Sequence, residues 1–361
     1  MVTKIEKLLR AEPNIMAKDI AKRLGCTKGE LNPILYANQD RFAVDAEYRW
    51  RLMGKEITIT FGGDCWVNCD SFEVTLQDAG DGLENATKVS FILPKGCYFL
   101  LDALARLLAL CNQLAFRKVD VTIDFSNDGK LKHYLNRAGF FDHLNESINV
   151  LPQRPTTSTA TSHRGQSENL VELGIVTPHE DEDAKDELIK RLTAKFLSLT
   201  GDNYKTAVST IFAELTGNIQ DHSETKLNGF AGLQKYGGQS PHIQTIVSDS
   251  GVGIATSLRP SLQTHYKTLY DKYHEESVEN DLALVTEVMS KGLISRYGAG
   301  RGLGFQTSRD RALKFKAKYS VRQENFSLEF IFEDEQLKRV IKKKNLARIT
   351  GTHICFDFVI D

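Results

Sequence analysis

The chain lacks any apolar run near the roughly 18 residues that a membrane span requires, so no membrane partner is expected. Its first residues, MVTKIEKLLR, lack the apolar centre of a secretion signal. Cysteine is sparse and unpaired in pattern: Cys26, Cys65, Cys69, Cys97, Cys111 and Cys355 are scattered. That excludes a disulfide framework and points to a reducing, cytoplasmic setting. Cys65 and Cys69, in CWVNC, miss the two-residue gap of a zinc knuckle, so ordinary thiols are expected there. An excess of charge is also missing. The net charge over 361 residues is −1, so a polyanionic partner is not demanded globally, although local patches can still bind one. What is present, 41% hydrophobic and 26% charged residues, fits a globular chain of one to three domains.

Residues 1–55 predict three short helices and a hairpin. Ile5, Leu8 and Leu9 mark one apolar face, and Ile20, Ala21 and Leu24 mark a second that stops at Gly25. Thr27 and Glu30 have capping-box spacing and open a third helix with Leu31, Ile34 and Leu35 as its apolar residues. FAVDAEYRWRL then alternates about a polar turn at Asp45–Glu47. The stretch MAKDIAKRLGCTKGELNPIL resembles the helix-turn-helix part of the winged-helix family, which implies DNA as a partner. Eleven Lys/Arg against seven acids give a local charge of +4, a bias that suits phosphate contacts. The third helix carries only Lys28 as a base, however, and a solvated face or a protein-docking module fits the same pattern.

Residues 56–150 form a second unit. EITITFG, FEVTLQ, KVSFILP and VDVTIDFS read as strands. LLDALARLLALCNQLAF, between the last two, reads as a buried helix, and LKHYLNRAGFFDHL as another. This alternation resembles the STAS-like fold of anti-sigma-factor antagonists, with Asp124-Phe125-Ser126 in the place of the DLS that ends a central strand there. The following stretch, NDGKLKHYLNRAGF, lacks the phosphorylatable serine of that family, so a binding or scaffolding role is implied. Residues 151–168, rich in Pro, Ser and Thr and without periodicity, read as a linker. The acidic run 179–187 is expected to open a helix.

Residues 169–361 hold four ordered motifs. Glu214, Asn218 and His222 recur every four residues, so on a helix they share one stripe beside the apolar stripe Ala207, Ile211, Leu215 and Ile219. A β-rich run ends in Asp249-Ser250-Gly251-Val252-Gly253-Ile254, where glycines permit a sharp turn and a close backbone approach. Gly298-Ala299-Gly300-Arg301-Gly302-Leu303-Gly304 precedes the expected helix QTSRDRALKFK and would aim free N–H groups at an anion. No lysine follows its last glycine, which excludes a P-loop. RITGTHICFDFVI alternates as a strand, with Ile354, Phe356, Phe358 and Ile360 on one face.

Together these motifs resemble the GHKL ATP-binding family of gyrases, heat-shock chaperones, histidine kinases and mismatch-repair ATPases. The resemblance implies an α+β architecture: a Bergerat-type α/β sandwich following the winged-helix and STAS-like units. It implies ATP and Mg2+ as cofactors. Asn218 would hold the metal through its amide oxygen, and Glu214 would be the catalytic residue, orienting or deprotonating a water or a substrate hydroxyl. Asp249 would read the adenine amine with Thr352 beside it, while Gly251, Gly253 and Ile254 shape that pocket. Gly298, Gly300, Gly302, Leu303 and Gly304 belong to the phosphate loop, and Arg301 either joins them or points to solvent. His222 resembles the anti-sigma serine kinases more than the histidine kinases.

Residues 255–298 are long for a loop and are expected to form a lid with helices of its own, one of them over ENDLALVTEVMSKGL. Tyr266, Tyr270 and Tyr273 share a face, for lid packing or for a protein partner. The sequence stops at Asp361, just after the GT strand, so a downstream domain supplying a catalytic lysine is not expected and slow hydrolysis is. Three functions remain open: an ATP-driven switch acting on DNA, a protein partner or its own dimerisation, as in a bacterial regulator or antiphage component; a serine/threonine protein kinase of the anti-sigma type; and an ATP-bound scaffold without turnover.

Overall fold

The computed structural model describes residues 1–79, 82–177, 182–201, 205–222, 224–291, 317–333 and 336–360, in a mixed α+β arrangement. The N-terminal unit runs α1 (Val2–Ala11), β1 (Ile15–Met16), α2 (Ala17–Leu24), α3 (Lys28–Ala37), β2 (Phe42–Val44) and β3 (Arg49–Leu52). Its strands pair in the order β1-β3-β2. Gly25 ends α2 in the left-handed conformation. Thr27 and Glu30 complete the reciprocal capping box, with Glu30 N donating to Thr27 Oγ1 over 3.3 Å and Thr27 N to Glu30 Oε2 over 2.8 Å. Ile5, Leu9, Ile20, Leu31, Leu35, Phe42 and Trp50 form a core separate from the rest of the chain.

The second unit contains β4 (Lys55–Thr60), β5 (Cys65–Val67), α4 (Cys69–Asp78), α5 (Gly82–Asn85), β6 (Ala86–Ile92), β7 (Cys97–Phe99), α6 (Leu101–Phe116), β8 (Asp120–Asp124), α7 (Gly129–Ala138), α8 (Phe140–His143) and β9 (Asn149–Leu151). Strands β4-β6-β8-β9 make a parallel sheet, and β5 pairs with β7. FEVTLQ, read above as a strand, is helical. Asn68 caps α4 by accepting from Asp70 N and Ser71 N, and Phe72 and Leu76, one turn apart, both face the core. The cap and the four-residue apolar spacing outweigh the β-branched composition. LKHYLNRAGFFDHL divides into α7 and α8 at Gly139, whose φ of +87° ends the first helix.

Residues 151–168, read as a linker, carry the one-turn helix α9 (Thr159–Ser162) and are bonded to the second unit. Asn136 Nδ2 donates to Thr157 O, Arg154 to Leu144 O and Asn145 O, and Ser158 Oγ to Asp142.

The third unit contains β10 (Leu170–Val176), α10 (Glu182–Thr200), α11 (Lys205–His222), β11 (Gly229–Tyr236), β12 (His242–Ser248), α12 (Gly253–His265), α13 (Lys267–Tyr273), α14 (Val278–Lys291), β13 (Ala317–Gln323), β14 (Phe326–Glu333), β15 (Gln336–Lys343) and β16 (Thr352–Val359). Among the described residues, seven antiparallel strands pair in the order β10-β11-β12-β16-β13-β14-β15. One face packs on α10, α11, α12 and α14, through residues such as Phe196, Phe212, Leu262, Val285, Ile354, Phe356 and Phe358. Tyr266, Tyr270 and Tyr273 are half-buried against this core, and Tyr273 Oη donates to Glu287. The expected helix 306–316 lies outside the described residues.

The opposite face of this sheet is covered by α6. Every residue from Leu101 to Ala115 is buried, because the helix lies between the parallel sheet and the seven-stranded one. Phe230, Ile246 and Cys355 of the large sheet therefore share a core with the second unit. Six leucines of α6 are at most 2% exposed, and each such burial contributes about 1.5–3 kcal/mol. These terms outweigh the polar residues on the same helix, provided those are hydrogen-bonded.

Candidate functional site

Asp249 stands where β12 ends, beside the start of β16. The two strands pair Ser248 with His353, and Asp249 N then donates to Thr352 O over 2.9 Å. The carboxylate turns back to accept from Gly251 N at 2.7 Å, and the Thr352 hydroxyl also bonds to it. Asp249 is only 8% exposed. Burial pushes its carboxyl up to about 6, against the hydrogen bonds from Gly251 and Thr352 that hold it down. At neutral pH the group is thus a buried, ionised acceptor.

Two glycines make this arrangement possible. Gly351 has φ +92°, and a Cβ there would lie 2.1 Å from Asp249 O, so only glycine lets the two backbones run this close. Gly253 has φ +80° and opens α12, with Ile254 buried in its first turn. Beneath it, Gln323 Nε2 donates to Thr352 Oγ1 over 2.8 Å, which fixes the hydroxyl against the carboxylate.

Helix α11 passes over the same end of the sheet. Ile219 packs on Gly229, where a Cβ would come within 2.9 Å of both Ile219 Cδ1 and Ser248 O. Ile211, Leu215 and Ile219 are buried as their spacing requires. The backbone at 214 and 218 belongs to this helix, while the side chains of Glu214, Asn218 and His222 lie outside the described set. Gly298, Gly300, Arg301, Gly302, Leu303 and Gly304 likewise lie outside the described residues. The described part of the site thus joins Asp249, Gly251, Gly253, Ile254 and Thr352 under α11.

Several residues behind Asp249 escape sequence reading. His353 Nε2 bonds to Thr350 O at 3.1 Å and Nδ1 to Ser248 Oγ at 2.6 Å. Thr350 O can only accept, so Nε2 carries the proton and Nδ1 accepts from the serine. Burial, with Arg322 and Arg106 nearby, holds this imidazole well below the usual histidine range, hence neutral. Gln113, from α6, donates to Ser250 Oγ at 2.8 Å and to Thr350 O at 2.9 Å, and accepts from Thr350 N at 2.9 Å. His353 sits inside the GT strand and Ser250 inside the glycine turn, so their motifs mark the place. Nothing in the sequence ties Gln113 to either.

No family model matches the chain, and no curated protein matches it. Among solved structures, the chain is similar to the mycobacterial sensor histidine kinase MprB at 14% identity. The match covers 43% of this chain and 71% of that one, with a TM-score of 0.22.

Proposed function

We propose that the third unit binds ATP with Mg2+ in a GHKL-type site of Bergerat fold, and that the nucleotide works as a switch. The observation that carries the reading is the convergence of a buried ionised carboxylate, Asp249, with the Thr352 hydroxyl and Gly253 at one end of a sheet crossed by α11. Such an acceptor would take a hydrogen bond from an exocyclic amine, and a glycine would let a flat ring approach the backbone. The donor set therefore fits adenine. Asn218 would hold the metal, Glu214 would act on the attacking oxygen, and the loop 298–304 would bind phosphates.

Around this site, residues 1–55 act as a winged helix on DNA, and residues 56–150 as a STAS-like regulatory unit. Hydrolysis resets the switch, and the ATP-loaded chain pairs with a second copy or a protein partner in the cytoplasm. Isothermal titration with Mg·ATP tests the site: measurable binding in the wild type that weakens about tenfold or more in Asp249→Asn supports it, and no binding sinks it. DNA retention that survives deletion of residues 1–55 at equal salt would remove that unit's role.

A second reading, a serine/threonine kinase of the anti-sigma type, rests on His222 at the third position of the 214–222 pattern. A phosphotransfer gel run beside the hydrolysis assay separates it from the switch.

A further inference from the structure

Asp102, Arg106 and Gln113 lie four and then seven residues apart on α6, so they form one polar stripe. The ends of this stripe meet the back of the seven-stranded sheet. Asp102 N donates to Gln244 Oε1 at 3.4 Å, and Gln113 reaches the two loops that carry the candidate site. Gln113 is 8% exposed, and its amide makes three hydrogen bonds, one to residue 250 and two to residue 350. Those residues flank Asp249 on one side and Gly351-Thr352 on the other.

We propose that Gln113 is a positioning residue through which the second unit sets the geometry of Asp249 and Thr352, so that a displacement of α6 is read directly at the adenine pocket. The proposal rests on the nucleotide reading above for its functional meaning, but its geometry stands by itself. Residues 249–251 and 350–352 come from loops about 100 residues apart in sequence, and the Gln113 side chain bonds to both Ser250 and Thr350. A cavity of about 320 Å³ opens beside this contact, between Leu114, Leu227 and Arg348. On that side the Gln113 hydrogen bonds add to the direct Asp249 N–Thr352 O bond between the two loops.

The neighbouring residue supplies a control. Asn112, equally buried at 8%, donates to His143 O and accepts from Asn145 N, both within the second unit. Its loss loosens that unit without touching either loop.

The test combines amide hydrogen exchange with ligand titration on the full chain. Gln113→Ala should speed exchange at Asp249 N and Gly251 N, which donate to Thr352 O and to the Asp249 carboxylate. It should weaken ATP about tenfold, the worth of one to two hydrogen bonds, while inorganic tripolyphosphate, which has no base, binds as before. Asn112→Ala should leave both the two amides and the ATP-to-tripolyphosphate ratio as in the wild type. Unchanged exchange in Gln113→Ala, or the same changes in Asn112→Ala, overturns the proposal. If the wild type binds no ATP, the nucleotide reading falls, and the exchange arm alone decides whether Gln113 aligns the two loops.

Discussion

Arg322 meets Glu73 through both carboxylate oxygens, at 3.1 and 3.3 Å, across 249 positions of sequence. Arg322 is fully buried and Glu73 3% exposed. Three backbone carbonyls, of Glu324, Ala347 and Ile349, take the remaining guanidinium hydrogens, and Arg106 of α6 adds a second ion pair to Glu73 at 2.8 Å. One carboxylate thus pairs with two buried cations at the seam between the second and third units.

Glu73→Ala removes the ion pair from both buried guanidinium groups. Breaking a buried pair in this way costs about 3–5 kcal/mol. The denaturant midpoint of the full chain should fall accordingly, with Glu73→Gln milder because its amide oxygen still accepts. A shift within ±0.5 kcal/mol would mean that water reaches the seam.

The Asp249 carboxyl titrates near 6 in the folded chain, above its ordinary 3.8. Ionising it costs the folded state, so this group's contribution to stability falls as pH rises from about 4 through 6. Adenine recognition needs the ionised form and should run the other way, with ATP affinity dropping as pH falls through about 6. Asp249→Asn should lose on the order of 1.5–3 kcal/mol of affinity and flatten that profile. His353 opposes the stability trend. Held neutral below the usual 6.5, it contributes stability above that pH which is lost on acidification. Titrations from pH 5 to 8, with urea midpoints at each pH, separate the effects.

Gly351→Ala places a methyl against Asp249 O in a backbone conformation that side chains avoid. The conformational strain alone is about 1–3 kcal/mol, and the overlap adds to it. Both the melting temperature and ATP affinity should fall. A variant that melts like the wild type would show that the loops can separate freely.

Glu214→Gln should abolish nearly all ATP hydrolysis, since a positioned base contributes a factor of about 10²–10⁴, while leaving Mg·ATP affinity close to the wild type. Steady-state turnover and titration on the same preparation check this. Equal loss of both would assign Glu214 to binding.

Much of this architecture is legible from sequence where local patterns decide it. The Thr27–Glu30 capping box, the alternation of β16 and the apolar length of α6 each follow from spacing alone. FEVTLQ misleads because its composition favours a strand while its cap and its Phe72–Leu76 spacing favour a helix. The contacts of the polar stripe on α6 are not legible. The sequence marks α6 as a buried helix but gives no partners to Asp102, Arg106, Gln113 and Arg322. They are buried because each finds its partner in a distant segment, a pairing that no local periodicity encodes.

The placement of α6 also constrains how such a chain can change over generations. A helix in contact with a sheet on two sides answers to two surfaces at once, so a substitution on it must suit both or be matched by a change on both. Swapping either unit alone would pair α6 with a sheet it was not shaped for. The second and third units share the core around α6, so they should tolerate exchange only together, whereas the N-terminal unit has a core of its own.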